Sequence, residues 1–174
     1  MVAAGLLLTV AACGAPSASY DGAGGRASDH AAVPGDAFRA TVDRVVDGDT
    51  IVARRDGRLW RVRLIGIDAP ESVKPDAPVE CFGPESARFL RDLLRGGTAV
   101  RAAYEDGGQR DQFGRELWDV WLPDGRLVQA VLVRAGTAEA RLYRPQREYA
   151  DLLAGLEEEA RDAGTGLHSA CPSG

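Results

Sequence analysis

The chain has 174 residues, of which 45% are hydrophobic and 27% charged, and it carries a net charge of −5. That length suits one domain with a sizeable core and excludes bulk disorder. The acidic balance excludes a polycation that holds polyanions by charge alone, and no apolar run is long enough to cross a membrane. Three cysteines and two histidines are too few for a zinc-finger-type site. Of the 21 basic residues 20 are arginine, with Lys74 the single lysine.

Val2 to Ala12 form an apolar stretch of signal-peptide length, with no basic residue between Met1 and the run. Val10-Ala11-Ala12-Cys13 is similar to a bacterial lipobox, in which the cysteine is lipidated and becomes the new N-terminus. Residues 1–12 are therefore expected to be a lipoprotein signal peptide. The small, Gly/Ser-rich residues that follow, up to 36, read as a flexible tether with His30 solvated in it, and the domain proper as 37–174.

Phe38 to Val46 reads as a strand, and Asp47-Gly48-Asp49 as a turn or bulge. Thr50 to Arg55 is a second strand, Asp56-Gly57 a hairpin turn, and Leu59 to Ile67 a third strand. Gly83-Pro84-Glu85 opens a helix, with proline at its first position and an acid at the positive end of its dipole. Ala87, Leu90, Leu93 and Leu94 form its apolar stripe, and Gly96-Gly97 ends it. Thr98–Tyr104 and Glu116–Leu122 read as strands on either side of a polar loop. Leu127–Ala135 is predicted as a short helix ending at Gly136, and Gln146–Ala163 as a longer one ending at Gly164. Five strands with about three helices predict an α+β, mainly β, fold: a small, partly open barrel of the oligonucleotide-binding type.

Acids and arginines gather in three motifs: Asp47-Gly48-Asp49-Thr50, Arg63 to Glu71 (Arg-Leu-Ile-Gly-Ile-Asp-Ala-Pro-Glu), and Asp111-Gln112-Phe113-Gly114-Arg115. Two carboxylates can share a hard cation, a third can act on water, and two arginines can hold a phosphate as its charge builds. That is the equipment of metal-assisted phosphodiester hydrolysis. Taken singly, each motif has a bland reading as a turn, a loop charge or an arginine stem covering apolar neighbours.

Together with Phe82-Gly83-Pro84-Glu85-Ser86 and Leu132-Val133-Arg134-Ala135-Gly136, these blocks make residues 37 to about 168 resemble the staphylococcal nuclease family. The resemblance implies a five-stranded barrel with three helices, and calcium-dependent (Ca2+) cleavage of DNA and RNA that leaves 3′-phosphate ends. By the same resemblance Asp49, Asp68 and the backbone carbonyl of Ala69 correspond to metal ligands. Arg63, Glu71 and Arg115 correspond to the catalytic trio, with Asp47 and Thr50 in support. Phe113 and Arg141 stand where tyrosines are usual near the nucleotide phosphate, while Tyr143 keeps the pattern. His168 stands where tryptophan is usual and is expected to pack. The resemblance also implies a monomer, and two side-chain acids imply weak calcium binding, on the order of 10⁻⁴–10⁻³ M.

With Cys13 given to lipid, Cys81 and Cys171 remain as an even pair in a compartment where disulfides persist, and a bridge between them is expected. The rival functions are a non-catalytic nucleic-acid-binding barrel on the cell surface and a purely structural surface lipoprotein. Retention of the arginine and glutamate set speaks for catalysis.

Overall fold

The computed structural model describes residues 28–72, 78–104, 110–141 and 148–171. Strands β1 (Phe38–Asp47), β2 (Thr50–Arg55) and β3 (Arg58–Leu64) form an antiparallel meander. Asp56 and Gly57, at φ 50° and 76°, make the tight turn that their sequence predicts. Two bulges, between Val42 and Arg44 and between Val45 and Asp47, curl β1, so that its first half pairs with β5 (Ala99–Ala103) and its second with β2. β6 (Glu116–Trp121) pairs antiparallel with β5 and parallel with β3. The order β1-β2-β3-β6-β5 then closes on itself. The barrel is thus fully closed where a partly open one was expected, because β6 reaches β3 and β1 reaches β5.

The third strand is shorter than the alternation suggested. β3 ends at Leu64, and Gly66 turns the chain at φ 77°, a conformation that costs glycine little. Ile67 and Asp68 (β4) then pair with Glu139 and Ala140 (β7) outside the barrel. This kink swings Asp68 out of the ladder and into the site described below.

Ile51, Val62, Leu64, Trp118 and Val120 fill the barrel, and Phe38 meets the Trp118 ring edge-on at 5.0 Å. α1 (Gly83–Leu93) buries Ala87, Leu90 and its following Leu94, as its stripe predicts. α2 (Val128–Arg134) is buried along nearly its whole length, and α3 (Ala150–Asp162) covers it with Leu153, Leu156 and Ala160. α3 begins at Ala150, later than the expected Gln146, which lies outside the described residues.

A fourth short helix, α4 (Leu167–Ala170), was not expected. It exists because Gly136 and Gly166 let two backbones touch: a Cβ on Gly136 would lie 2.1 Å from the Thr165 carbonyl oxygen. The Leu167 N–H donates to the Gly136 carbonyl at 2.8 Å, which turns the tail back towards α1. There Cys171 is bonded to Cys81, with a Cα–Cα separation of 5.8 Å.

Residues 28–36, read from composition as the end of a tether, lie against the barrel. The Asp29 carbonyl accepts the Leu127 N–H at 2.8 Å, its carboxylate meets Arg134 at 3.3 Å, and His30 bridges to Arg126 through its backbone while its side chain stays exposed. An ion pair and several hydrogen bonds thus hold these residues, which composition alone reads as tether.

Candidate active site

The turn between β1 and β2 brings two acids to one end of the barrel. Asp47 and Asp49 are 7% and 6% exposed, and Gly48 between them is forced: a Cβ there would sit 2.7 Å from that of Ala69 and 3.0 Å from that of Ser86. The Asp47 carboxylate accepts the Gly48 N–H at 2.9 Å and the Ser72 hydroxyl at 2.6 Å. It thereby ties the turn to the loop after β4. The Thr50 hydroxyl donates to Asp49 Oδ1 at 2.8 Å, and the Ala69 N–H to Asp49 Oδ2 at 3.1 Å.

Arg63 stands beside Thr50 in the β2–β3 register and gathers the acids. Its Nη1 pairs with Asp49 Oδ2, while its Nη2 donates to Asp68 Oδ1 at 2.8 Å and to the Ile67 carbonyl at 3.0 Å. Asp49 and Asp68 thus converge on a single guanidinium. Arg141 approaches the other oxygen of Asp68 at 3.6 Å and donates its backbone N–H to the Gly66 carbonyl at 2.9 Å.

Glu71 is fixed through its backbone. Its N–H donates to Glu80 Oε2 and its carbonyl accepts the Glu80 N–H, both at 2.9 Å. Gly83 lets α1 start against it, since a Cβ there would lie 2.5 Å from the Glu71 carbonyl oxygen. Sequence reading passed over Glu80; its place just before Cys81, at the mouth of α1, was the available signal.

The second arginine comes from the loop into β6. Asp111 Oδ1 accepts the N–H groups of Phe113 and Arg115, both at 2.9 Å, and Oδ2 accepts Arg115 Nε at 2.6 Å. Burial opposes the charge on Asp111, but these bonds outweigh it and hold the carboxyl below its ordinary range. Arg115 Nη1 then reaches the Thr50 hydroxyl at 3.4 Å, so the two arginines flank the same residue. Between them opens a cleft of about 460 Å³, lined by Arg63, Gly66, Asp111, Phe113 and Arg115. Phe113 is 74% exposed at its lip, with the Arg115 guanidinium 5.5 Å from its ring.

A polar cluster that the sequence did not announce braces the base of this loop. Glu116 is 3% exposed and accepts from the Tyr104 hydroxyl and from Arg110 Nε at 2.6 Å. Burial opposes its ionisation, yet the two donors hold its carboxyl low, while burial and the same carboxylate push the Tyr104 phenol up. Its donors are Tyr104, just after β5, and Arg110, five residues ahead of Arg115.

The structure therefore brings together Asp47, Asp49, Thr50, Arg63, Asp68, Ala69, Arg115 and Arg141, with the backbone of Glu71 beside them. Tyr143 and Cys13 lie outside the described residues. His168 sits half-buried in α4 with its Nε2 buried. No group of three or more acid, cysteine or histidine side chains placed to hold a metal occurs among the described residues. The available hard oxygen donors are the two converging carboxylates and neighbouring backbone carbonyls.

Paired acids facing guanidiniums beside a barrel cleft are groups suited to phosphodiester chemistry. Comparison with known proteins agrees. Residues 61–170 match the family model described as "Staphylococcal nuclease homologue". The thermonuclease of Staphylococcus intermedius is 41% identical over 120 residues, covering 69% of this chain and 70% of that protein. The thermonuclease of Staphylococcus hyicus is 38% identical over 120 residues, 69% of each chain. Endonuclease YncB of Bacillus subtilis is 34% identical over 122 residues, 70% of this chain and 57% of that protein. The chain belongs to the staphylococcal nuclease family and is a hydrolytic nuclease.

Proposed function

We propose that the chain is an extracellular, calcium-dependent nuclease that hydrolyses DNA and RNA phosphodiesters and leaves 3′-phosphate ends. The observation that carries the reading is the convergence of Asp49 and Asp68 on Arg63, with Arg115 held beside them by Asp111. Oxygen donors of this kind suit a hard divalent cation, and their present attachment to a cationic guanidinium marks the spot as one that favours positive charge. Asp49, Asp68 and the Ala69 carbonyl would hold calcium. When bound, the ion supplies Lewis-acid stabilisation to a phosphoryl oxygen.

The chain's own groups do the rest. Glu71 accepts the proton of the attacking water. Arg63 and Arg115 grip the phosphate from two sides, and their bonds strengthen as charge builds on its oxygens. Arg115 also steadies the departing 5′-oxygen. Asp47 and Thr50 keep the acid turn and Arg115 in place, and Phe113, Arg141 and Tyr143 contact the nucleotide. Digestion of plasmid, single-stranded DNA and RNA, with calcium and with a chelator, tests the proposal. Loss of all three substrates with calcium, and sparing with chelator, is the expected result. Binding without cleavage would favour the non-catalytic barrel instead.

The lipobox-like Val10–Cys13 further supports lipidation at Cys13 and tethering of the enzyme outside the bacterial membrane. Several acyl chains anchor stably where one alone is marginal. Wild type is expected in the membrane fraction and a Cys13→Ala variant outside it. Wild-type protein in the cytosol with residues 1–12 attached would overturn this.

A further inference from the structure

Cross-strand partners in a sheet share a face, and the register of β1, β2 and β3 places arginines in successive rows on the outer face. The row nearest the cleft is Asp47, Thr50 and Arg63; the next is Arg44, Val52 and Arg61; the third is Thr41, Arg54 and Leu59. Beyond these, Arg39 of β1 faces Arg101 of β5. Arg39, Arg44, Arg54 and Arg61 are all exposed.

Little neutralises them. Asp43 meets Arg44 at 2.9 Å and Arg54 at 3.8 Å, while Arg39 and Arg61 touch no carboxylate among the described residues. The far end of the face is a groove of about 530 Å³ lined by Arg39, Arg54, Arg55 and Arg101, with Asp56 as its one acid. Arg101 spends its Nη2 on a neutral acceptor, the Ala37 carbonyl, at 2.6 Å. In a chain of net charge −5 this is a local inversion of sign. Like charges left side by side on a surface repel, and they create a field that attracts a polyanion.

The face is continuous with the cleft. Thr50 and Arg54 lie on the same side of β2, four residues or about 13 Å apart. That distance matches roughly four base-pair steps of a duplex at about 3.4 Å of axial rise each.

We propose that Arg61, Arg44, Arg54 and Arg39 form a track for the phosphate backbone of the nucleic-acid strand that enters the cleft, holding it several nucleotides from the bond to be cut. The proposal rests on the nuclease reading for the class of its ligand. It predicts that affinity grows with strand length and that the growth depends on salt.

The test uses the full chain in chelator and labelled single-stranded DNA of about 4 and about 16 nucleotides, at about 50 and about 200 mM salt. The proteins are wild type, the double variant Arg39→Ala with Arg54→Ala, and the double variant Arg39→Lys with Arg54→Lys. Wild type is expected to bind the long strand more tightly than the short one. The alanine pair should lose roughly tenfold on the long strand at the higher salt. Its slope of log affinity against log salt should shrink by about 1.4, two phosphates at ~0.7 each. The lysine pair should retain both. An alanine pair that binds the long strand like wild type, or that loses the same factor on the short one, overturns the track. So does an alanine pair that leaves DNA binding intact but abolishes binding to phosphatidylglycerol vesicles, which would assign the face to a membrane. If wild type fails to cleave with calcium yet shows the arginine-dependent length effect, the hydrolytic reading falls and the track stands.

Discussion

Asp49 lies in the turn between β1 and β2 and Asp68 in β4, and one guanidinium holds both. On the proposed reading such side chains serve chemistry more than the core, which separates two kinds of expected outcome. Glu71→Gln and Arg115→Ala should each lower turnover by about 10²- to 10⁴-fold. Glu71→Gln should leave the thermal unfolding curve near wild type, whereas Arg115→Ala also gives up the ion pair with Asp111 and should lower it. Near-normal calcium-dependent rates would remove these residues from the mechanism. Gly48→Ala should do both kinds of damage. Its methyl group would meet Ala69 and Ser86, and overpacking of this sort costs about 1–3 kcal/mol in addition to displacing Asp49. Glu80 acts more quietly, through two backbone bonds to Glu71. Glu80→Ala is expected to lower kcat roughly tenfold with little change in KM, and Glu80→Gln, which keeps an acceptor oxygen, should restore most of it. Equal losses in the two variants would argue against positioning.

Among the elements, the loop that delivers Arg115 is stabilised by acids whose protons are held loosely. The ordinary values are 3.8 for Asp111 and 4.5 for Glu116, and both are lowered in the folded chain. A depressed value means that the unfolded chain binds the proton more tightly. The stabilisation is therefore complete above the ordinary values and is lost as pH falls through the lower, folded ones. An Asp111→Asn variant should be less stable than wild type at about pH 6, and the gap in urea midpoint should close towards about pH 3; a gap that persists in acid would contradict the sign. The Cys81–Cys171 bridge spans 90 residues. Its reduction should cost up to about 4.5 kcal/mol by the chain-entropy argument, readable as a drop in unfolding free energy with reductant. Alkylation of two thiols in exported protein without reductant would show the bridge absent. The same elements show what a linear reading can reach. Strand alternation, the Asp-Gly turn and the glycine-flanked helices are local signals, and they placed β1, β2, α1 and α2 to within a residue or two. The break at Gly66 was hidden because Ile65 and Ile67 continue an apolar pattern that tertiary contacts interrupt. α4 was hidden because its cause is a contact between Gly136 and Thr165, 29 positions apart. The motif residues of the site were legible, since their types carry the chemistry. Glu80, and the Tyr104–Glu116–Arg110 cluster, were not: Glu80 is an exposed acid whose tie to the Glu71 backbone no local pattern shows, and the buried Glu116 declares itself only through its partners.

For the molecule as a whole, the feature that matters most is the parallel ladder between β3 and β6, in which Arg63 faces Leu117. Every other pairing in the barrel is antiparallel. The parallel one joins segments more than fifty positions apart and so carries a heavy loop-closure cost. It is also what sets Arg115 next to the acids. On the proposed mechanism neither half of the chain owns a working centre: the first holds Asp49, Asp68, Glu71 and Arg63, and the second holds Arg115. A chain cut between Tyr104 and Arg110 divides these groups between two fragments. Each fragment alone is expected to be inert in a plasmid-digestion assay, and activity should return only on mixing and reassociation. On the proposed mechanism the hydrolytic centre comes into being only when β6 pairs with β3, so an incompletely folded chain is expected to leave nucleic acid intact.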